Sequence, residues 1–201
     1  MDSTVILQLS EKLLDRGRSL RSPLVVAIDG RSGVGKSTLA AGLAAHLDAT
    51  IVSGDDFYIG GVAVRDEAPE ILYDACIDWR AARGVLRNLV GREEARYRGF
   101  DWERFDGSLR DDDTVLRASP IILFEGVYAG RLELRDVVDL SVLVHLSETE
   151  RLRRIIAREG EISAWEAQWH RAEEWYFSEV VSREDFDLVV DNERLIGTDA
   201  T

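Results

Sequence analysis

The sequence predicts an α/β fold, a five-stranded parallel sheet with helices on both faces. Three observations carry this reading. "LVVAID" and "PIILFEG" are continuous apolar runs of the kind found in strands covered on both sides. Segments with helical spacing separate such runs, as in a chain of strand–helix–strand units. The first run ends against a loop holding three glycines, in the place where loops of such sheets bind ligands.

In chain order, Thr4 to Arg16 has helical spacing, with Leu7, Leu9, Leu13 and Leu14 as the expected buried side. Pro23 ends any helix, and "LVVAID" follows as the first strand. "KSTLAAGLAAHL" is rich in Ala and Leu, the strongest helix formers. "ATIV" is a second short strand, delivering "SGDDFY" at its end. "DWRAARGVLRNLV" reads as a helix with Asp78 as a plausible cap. Charges, glycines and aromatics crowd Arg92 to Asp113, and no element is assigned there. "PIILFEG" is the third strand and ends on Glu125, an unusual place for a charge. "LSVLVHL" is the fourth, followed by the arginine-rich helix "TERLRRIIARE". One long amphipathic helix is expected from Ser163 to Val180, and "FDLVVD" closes the sheet.

The 201 residues suit a single domain, 1–201, and 45% hydrophobic with 31% charged residues fits a soluble globular chain. A net charge of -13 repels a nucleic-acid backbone. No apolar run approaches membrane-spanning length, and the acidic N-terminus is unlike a signal peptide, so a cytoplasmic protein without membrane or nucleic-acid partners is expected. Cys76, the one cysteine, cannot form an intramolecular disulfide and reads as a buried structural thiol. His46, His145 and His170 have no mutual spacing that points to a metal.

Gly30, Gly35, Lys36 and Ser37 match G-x-x-x-x-G-K-[ST], the phosphate-binding loop, with the required strand before it and helix after it. The glycines let the backbone curl until several N–H groups face one anion, and the helix adds the positive end of its dipole. Ser32, Gly33, Val34 and Thr38 complete the expected nucleotide-binding set, with ATP and Mg²⁺ as its ligands. Lys36 would reach the β- and γ-phosphates, and the Ser37 hydroxyl would ligate Mg²⁺. Glu125, at a strand end, would aim a carboxylate at the magnesium water shell, the alternative being a helix cap. Asp55 or Asp56 would accept the proton of an acceptor hydroxyl, the alternative being a solvated turn. Arg151, Arg154 and Arg158 share one helix face and would neutralise the transferring group, with Arg153 pointing elsewhere. Asp29, just before the loop, is read as structural.

The set "DGRSGVGKST", "SGDDFY", "FEGVYA" and "ERLRRIIARE", in that order, resembles the uridine kinase and phosphoribulokinase family over about three quarters of the chain. The resemblance implies a three-layer P-loop NTPase sandwich with a five-stranded parallel sheet and a short lid, about residues 154–170. It implies Asp55 as catalytic base with Asp56 as runner-up, Lys36, Arg154 and Arg158 as its catalytic companions, and Glu125 beside the metal. Where that family has Phe-Asp-His-Pro-Asp this chain has "YDACIDW", which leaves Asp74 and Asp78 both open as the acceptor's partner. Asp56, Tyr58, Tyr73 and Tyr97 complete the expected acceptor set, with Trp102 as a further stacking candidate.

The expected activity is ATP-dependent phosphorylation of a small-molecule hydroxyl, a uridine- or cytidine-like nucleoside first. Pantothenate, a sugar or an aminocyclitol is the alternative acceptor, and a nucleotide-binding switch module the alternative class. A homo-oligomer is compatible with all of these.

Overall fold

The computed structural model describes residues 2–193; the outermost positions of the expected span 1–201 lie outside the described residues. Helix α1, Ser3–Arg18, begins at an Asp2 cap whose carboxylate accepts from Thr4 N at 2.7 Å. Leu9 and Leu13 face inward, but Leu7 and Leu14 are 50% and 42% exposed, contrary to the expected buried side. The face that meets the next helix is centred on Ile6, Leu9 and Leu13, one stripe at spacings of three and four. Leu7 and Leu14 fall beside that stripe and turn to solvent.

Strand β1, Leu24–Asp29, is buried along its whole length. Helix α2, Lys36–Ala44, leads to β2, Ala49–Ser53, and a single 3-10 turn, Gly54–Phe57. A short helix α3, Pro69–Ala75, precedes α4, Trp79–Val90, which Asp78 caps through Ala81 N at 3.0 Å. The unassigned stretch holds an antiparallel pair, β3 (Ala95–Tyr97) with β4 (Thr114–Leu116). Then come β5, Ile121–Glu125; β6, Leu140–His145; α5, Glu148–Glu159; α6, Ala164–Trp175; and β7, Leu188–Asp191.

All five expected strands form one parallel sheet in the order β2-β5-β1-β6-β7. Alternate residues of β1 enter two cores. Leu24, Val26 and Ile28 pack towards α1 and α2, while Val25 and Ala27 pack towards α4 and α6. No helix of the described residues is long and apolar enough to cross a membrane.

The expected helix Ser163–Val180 is shorter than the sequence reading. It starts with a capping box, Ser163 and Glu166, and its α-geometry stops at Trp175. Tyr176–Val180 forms a π turn. The wider turn carries the buried Tyr176 hydroxyl to Asp29 Oδ2 at 2.9 Å, a bond that satisfies both buried groups.

Candidate active site

Sheet register assembles the site. Glu125 lies opposite Ile28 on one side and Ser53 on the other, so the loops leaving β1, β2 and β5 share one rim at the carboxyl edge. Asp29 ties this rim together. Its buried carboxylate accepts from Gly30 N (2.7 Å), Tyr128 N (3.0 Å) and Gly130 N (2.9 Å) besides the Tyr176 hydroxyl. Burial raises its pKa even though these four donors favour the charged form. The structural reading of Asp29 fits these contacts.

The glycine loop curls as its spacing requires. Gly33 and Gly35 have φ of 83° and 99°, and a Cβ on Gly35 would sit 2.7 Å from Asn192 Nδ2. Only glycine fits there. Lys36 opens α2 and folds its ammonium onto the Arg31 carbonyl at 3.1 Å. This turn and the N-terminus of α2 border a cavity of about 320 Å³, lined by Ser32, Gly33, Gly35, Lys36, Ser37 and Thr38. Gly30 and Val34, also expected in the nucleotide-binding set, do not line it, and the Val34 carbonyl accepts from Asn192 Nδ2 at 2.8 Å.

Opposite the loop stand Asp55, Glu125, Arg154 and Arg158. The Ser37 hydroxyl donates to Glu125 Oε2 at 3.1 Å. This hydroxyl and carboxylate suit a hard divalent cation that keeps waters and phosphate oxygens as its other ligands. No group of three His, Cys, Asp or Glu among the described residues forms a cage of its own. Burial raises the Glu125 pKa, Asp55 adds to the rise, and Lys36 and Ser37 oppose it. The Asp55 carboxylate opens to solvent, yet it sits deep in a cleft walled by protein. That crowding raises its pKa, with Lys36 opposing, Asp56 adding and Arg158 opposing.

A second cavity, about 570 Å³, adjoins the first, and both include Ser32, Asp55, Ile155 and Arg158 in their walls. Tyr58, Trp102, Phe105, Trp165 and Trp169 give it aromatic walls, beside Ile77 and the acidic Glu159, Glu161 and Glu166. Trp165 and Trp169 lie nearly parallel, 7° apart, as expected of residues four apart on one helix. The Trp102 indole donates to the Asp55 carbonyl at 3.1 Å, which brings the 99–109 loop over the base of the chamber. Burial lowers the pKa of His170, on the rim.

Several expected acceptor residues lie elsewhere. Asp78 spends its carboxylate on capping α4, and Asp74, exposed, faces Arg131 at 3.8 Å; Ile77 between them lines the chamber instead. Tyr73 is buried, covered by the Arg131 guanidinium at 4.5 Å and stacked on Tyr176. Asp56 turns from the cavities to accept from Tyr97 Oη (3.0 Å) and Arg110 Nη2 (2.8 Å). Tyr97 thus braces Asp56, and burial, with the Asp56 charge and hydrogen bond adding, raises its pKa. Of the expected acceptor residues, Tyr58 and the stacking candidate Trp102 line the chamber.

The arginine face of α5 divides. Arg154 and Arg158 line the phosphate cavity, and Arg153 pairs outward with Glu150 at 2.6 Å. Arg151, grouped with them by spacing, is 3% exposed and donates to the Ser32 carbonyl at 3.1 Å. The span 154–170, expected as a lid, comprises the end of α5, a turn at Gly160 and the first half of α6.

Glu173, Trp165, Trp169, Phe105 and Arg110 did not emerge from the sequence as site residues. The stripe 165, 169, 173 at spacing four was visible, but nothing local told which element it would meet.

No protein-family model matches the chain. It is 32% identical over 190 residues to the cytidylate kinase of Ignicoccus hospitalis, an alignment covering 88% of this chain and 93% of that one. It is 28% identical over 148 residues to the uridine kinase of Ureaplasma urealyticum serovar 10, covering 69% and 70%. Its fold matches that of a chain described as a possible uridine kinase from Bacillus stearothermophilus, with a TM-score of 0.61, 23% identity and coverage of 92% and 97%. With the glycine loop, the carboxylates opposite it and the parallel sheet already in place, these likenesses show that the chain belongs to the uridine kinase and phosphoribulokinase-like family of P-loop kinases and is a small-molecule phosphotransferase.

Proposed function

We propose that the chain transfers the γ-phosphate of ATP to a hydroxyl of a pyrimidine nucleoside. One observation carries the proposal: Asp55 stands in the wall common to a phosphate-binding cavity and an aromatic chamber. An acceptor hydroxyl there would give its proton to the Asp55 carboxylate as its oxygen bonds to the γ-phosphorus. The bond to the β–γ bridging oxygen breaks, and ADP departs. Lys36, Arg154 and Arg158 would balance the charge that develops on the transferring group. Ser37 and Glu125 would hold Mg²⁺, directly or through water, and the ion would supply further charge neutralisation.

Two features favour a nucleoside. The chamber offers aromatic surface for a flat ring. Arg158 is the one arginine or lysine lining it, against Asp55, Glu159, Glu161 and Glu166, so an acceptor bearing its own phosphate is repelled. This favours the acceptor named for the Ureaplasma relative over that of the Ignicoccus one.

The test is acceptor-dependent ADP release with uridine, cytidine, CMP, pantothenate, fructose and an aminocyclitol. Uridine or cytidine should head the panel and CMP should trail it. Asp55→Asn should lower turnover by about 10²- to 10⁴-fold, the usual reach of a general base. The proposal fails if hydrolysis is acceptor-independent and unaltered by that variant, which would favour a nucleotide switch.

The pH profile gives a second check. The base works ionised, and its pKa is raised, so activity should fall on the acid side at a pH above the ordinary aspartate value of 3.8. Asp56→Asn, which removes a like charge, should move that limb to lower pH. The same group lowers stability as pH rises through its folded pKa, because folding favours its protonated form. Asp55→Asn should therefore melt no lower than the wild type at neutral pH.

A further inference from the structure

Ser32 is the third residue of the phosphate loop, and it lines both cavities. Its three polar groups are all held by helices α5 and α6. The Ser32 N–H donates to Glu173 Oε2 at 3.1 Å, and its hydroxyl donates to Glu173 Oε1. The same hydroxyl accepts from the Trp169 indole at 3.3 Å. The Ser32 carbonyl accepts from Arg151, whose guanidinium lies 3.9 Å from the Glu173 carboxylate.

Glu173 is 0% exposed. A buried carboxylate is an expensive way to hold a helix against a loop, because apolar residues of equal volume stabilise as well or better. What it adds is direction. Two acceptor oxygens on the N–H and O–H of one serine fix that residue's orientation, and Arg151 stands against the carboxylate. Trp169 stands one turn before Glu173, on the same helix face, and its ring forms a wall of the aromatic chamber. A ligand seated in the chamber and a polyphosphate seated in the loop therefore act on the same serine, one through α6 and one through the loop backbone.

We propose that Glu173 is a positioning residue that couples the two cavities: ordering of the phosphate loop orders α6 through Ser32, and occupation of the chamber tightens nucleotide binding in return. This rests on the reading of the second cavity as the acceptor site. Because coupling free energy is reciprocal, each ligand should strengthen the other by the same factor. Glu173 touches no reacting atom in this scheme.

The test uses the full chain in three forms, wild type, Glu173→Gln and Ser32→Ala. Glu173→Gln keeps the volume while removing the charge and one acceptor; Ser32→Ala approaches the contact from the loop. In the wild type, saturating uridine should tighten a non-hydrolysable ATP analogue with Mg²⁺ about 5-fold or more. Magnesium ADP alone should slow hydrogen exchange of amides in residues 164–175. Glu173→Gln should bind nucleotide yet lose most of both responses, raising the KM for each substrate while kcat changes by less than about 3-fold, and Ser32→Ala should lose the same two responses. The double variant should be no worse than the worse single one.

A folded Glu173→Gln protein that keeps full coupling and full protection of α6 overturns the proposal, and so does a wild type whose α6 ignores magnesium ADP. If uridine neither couples nor turns over, while α6 still responds to magnesium ADP in a Glu173-dependent manner, the acceptor assignment falls and the linkage stands. Turnover of uridine with an α6 response indifferent to Glu173 gives the reverse.

Discussion

The two cavities that meet at Asp55 are built in opposite ways. The phosphate cavity is mainly the work of one continuous segment, Ser32 to Thr38, whose main-chain N–H groups and helix dipole would do the binding. The aromatic chamber takes Tyr58 from the β2 end, Ile77 from before α4, Trp102 and Phe105 from the loop between β3 and β4, and Trp165 and Trp169 from α6. Backbone geometry shapes the first, with Ser32 held from α5 and α6, so it tolerates little change. Side chains from several separate segments fix the second, so it changes with each of them. A family can keep the first and vary the second, as its relatives' different names imply.

The largest expected effect sharpens this contrast. Lys36→Ala removes the one ammonium of the phosphate cavity and should abolish turnover with every acceptor, together with most of the affinity for magnesium ATP. Isothermal titration with a non-hydrolysable analogue and an ADP-release assay across the acceptor panel would check it. Loss with one acceptor and retention with another would break the comparison, because the phosphate side would then be selecting acceptors.

The same contrast explains what could be read from the sequence. The loop, its strand and its helix are contiguous, so their residues could be placed from spacing alone, and all five strands announced themselves as apolar runs. Ser37 and Glu125 are 88 residues apart yet lie within hydrogen-bond reach, because parallel register sets the end of β5 beside the loop that leaves β1. The chamber had no such rule. Asp74 and Asp78 lay in the right segment, but helix capping claimed one carboxylate and Arg131 faced the other. Tyr73 had the right chemistry and was drawn into the core by Tyr128, Tyr176 and Arg131. Nothing in the local sequence sets Glu173 apart from the other charges of its helix; the fold lays it against Ser32.

A smaller effect is expected in the chamber. Trp165→Ala removes a wall that also packs edge-on against Tyr58 and Phe105. It should raise the KM for uridine by about 10-fold, within the 0.5–1.5 kcal/mol range of one aromatic contact plus lost apolar area. The KM for ATP should change less than 3-fold once the Trp169–Ser32 contact is intact. Steady-state kinetics varying each substrate separately would show it. An equal rise in both constants would mean that the two cavities fail together and that the division between them is only geometric.

The smallest effect tests the one residue that could still belong to either side. Asp78 sits next to Ile77, a chamber wall, but its carboxylate accepts from Ala81 N at 3.0 Å at the start of α4. Asp78→Ala should therefore behave as the loss of a helix cap, about 1 kcal/mol of stability. For a chain of this size that lowers the melting temperature by roughly 2–4 °C. Its kcat and its KM for uridine should stay within about 2-fold of wild type. Asp78→Asn and Asp78→Ser, which retain a capping oxygen, should recover most of the melting temperature. A residue holding the acceptor's ribose would give the opposite pattern, with unchanged melting, a KM for uridine raised more than 10-fold, and no rescue by serine. That pattern would extend the chamber to the head of α4 and reclaim for it the carboxylate that the helix now holds.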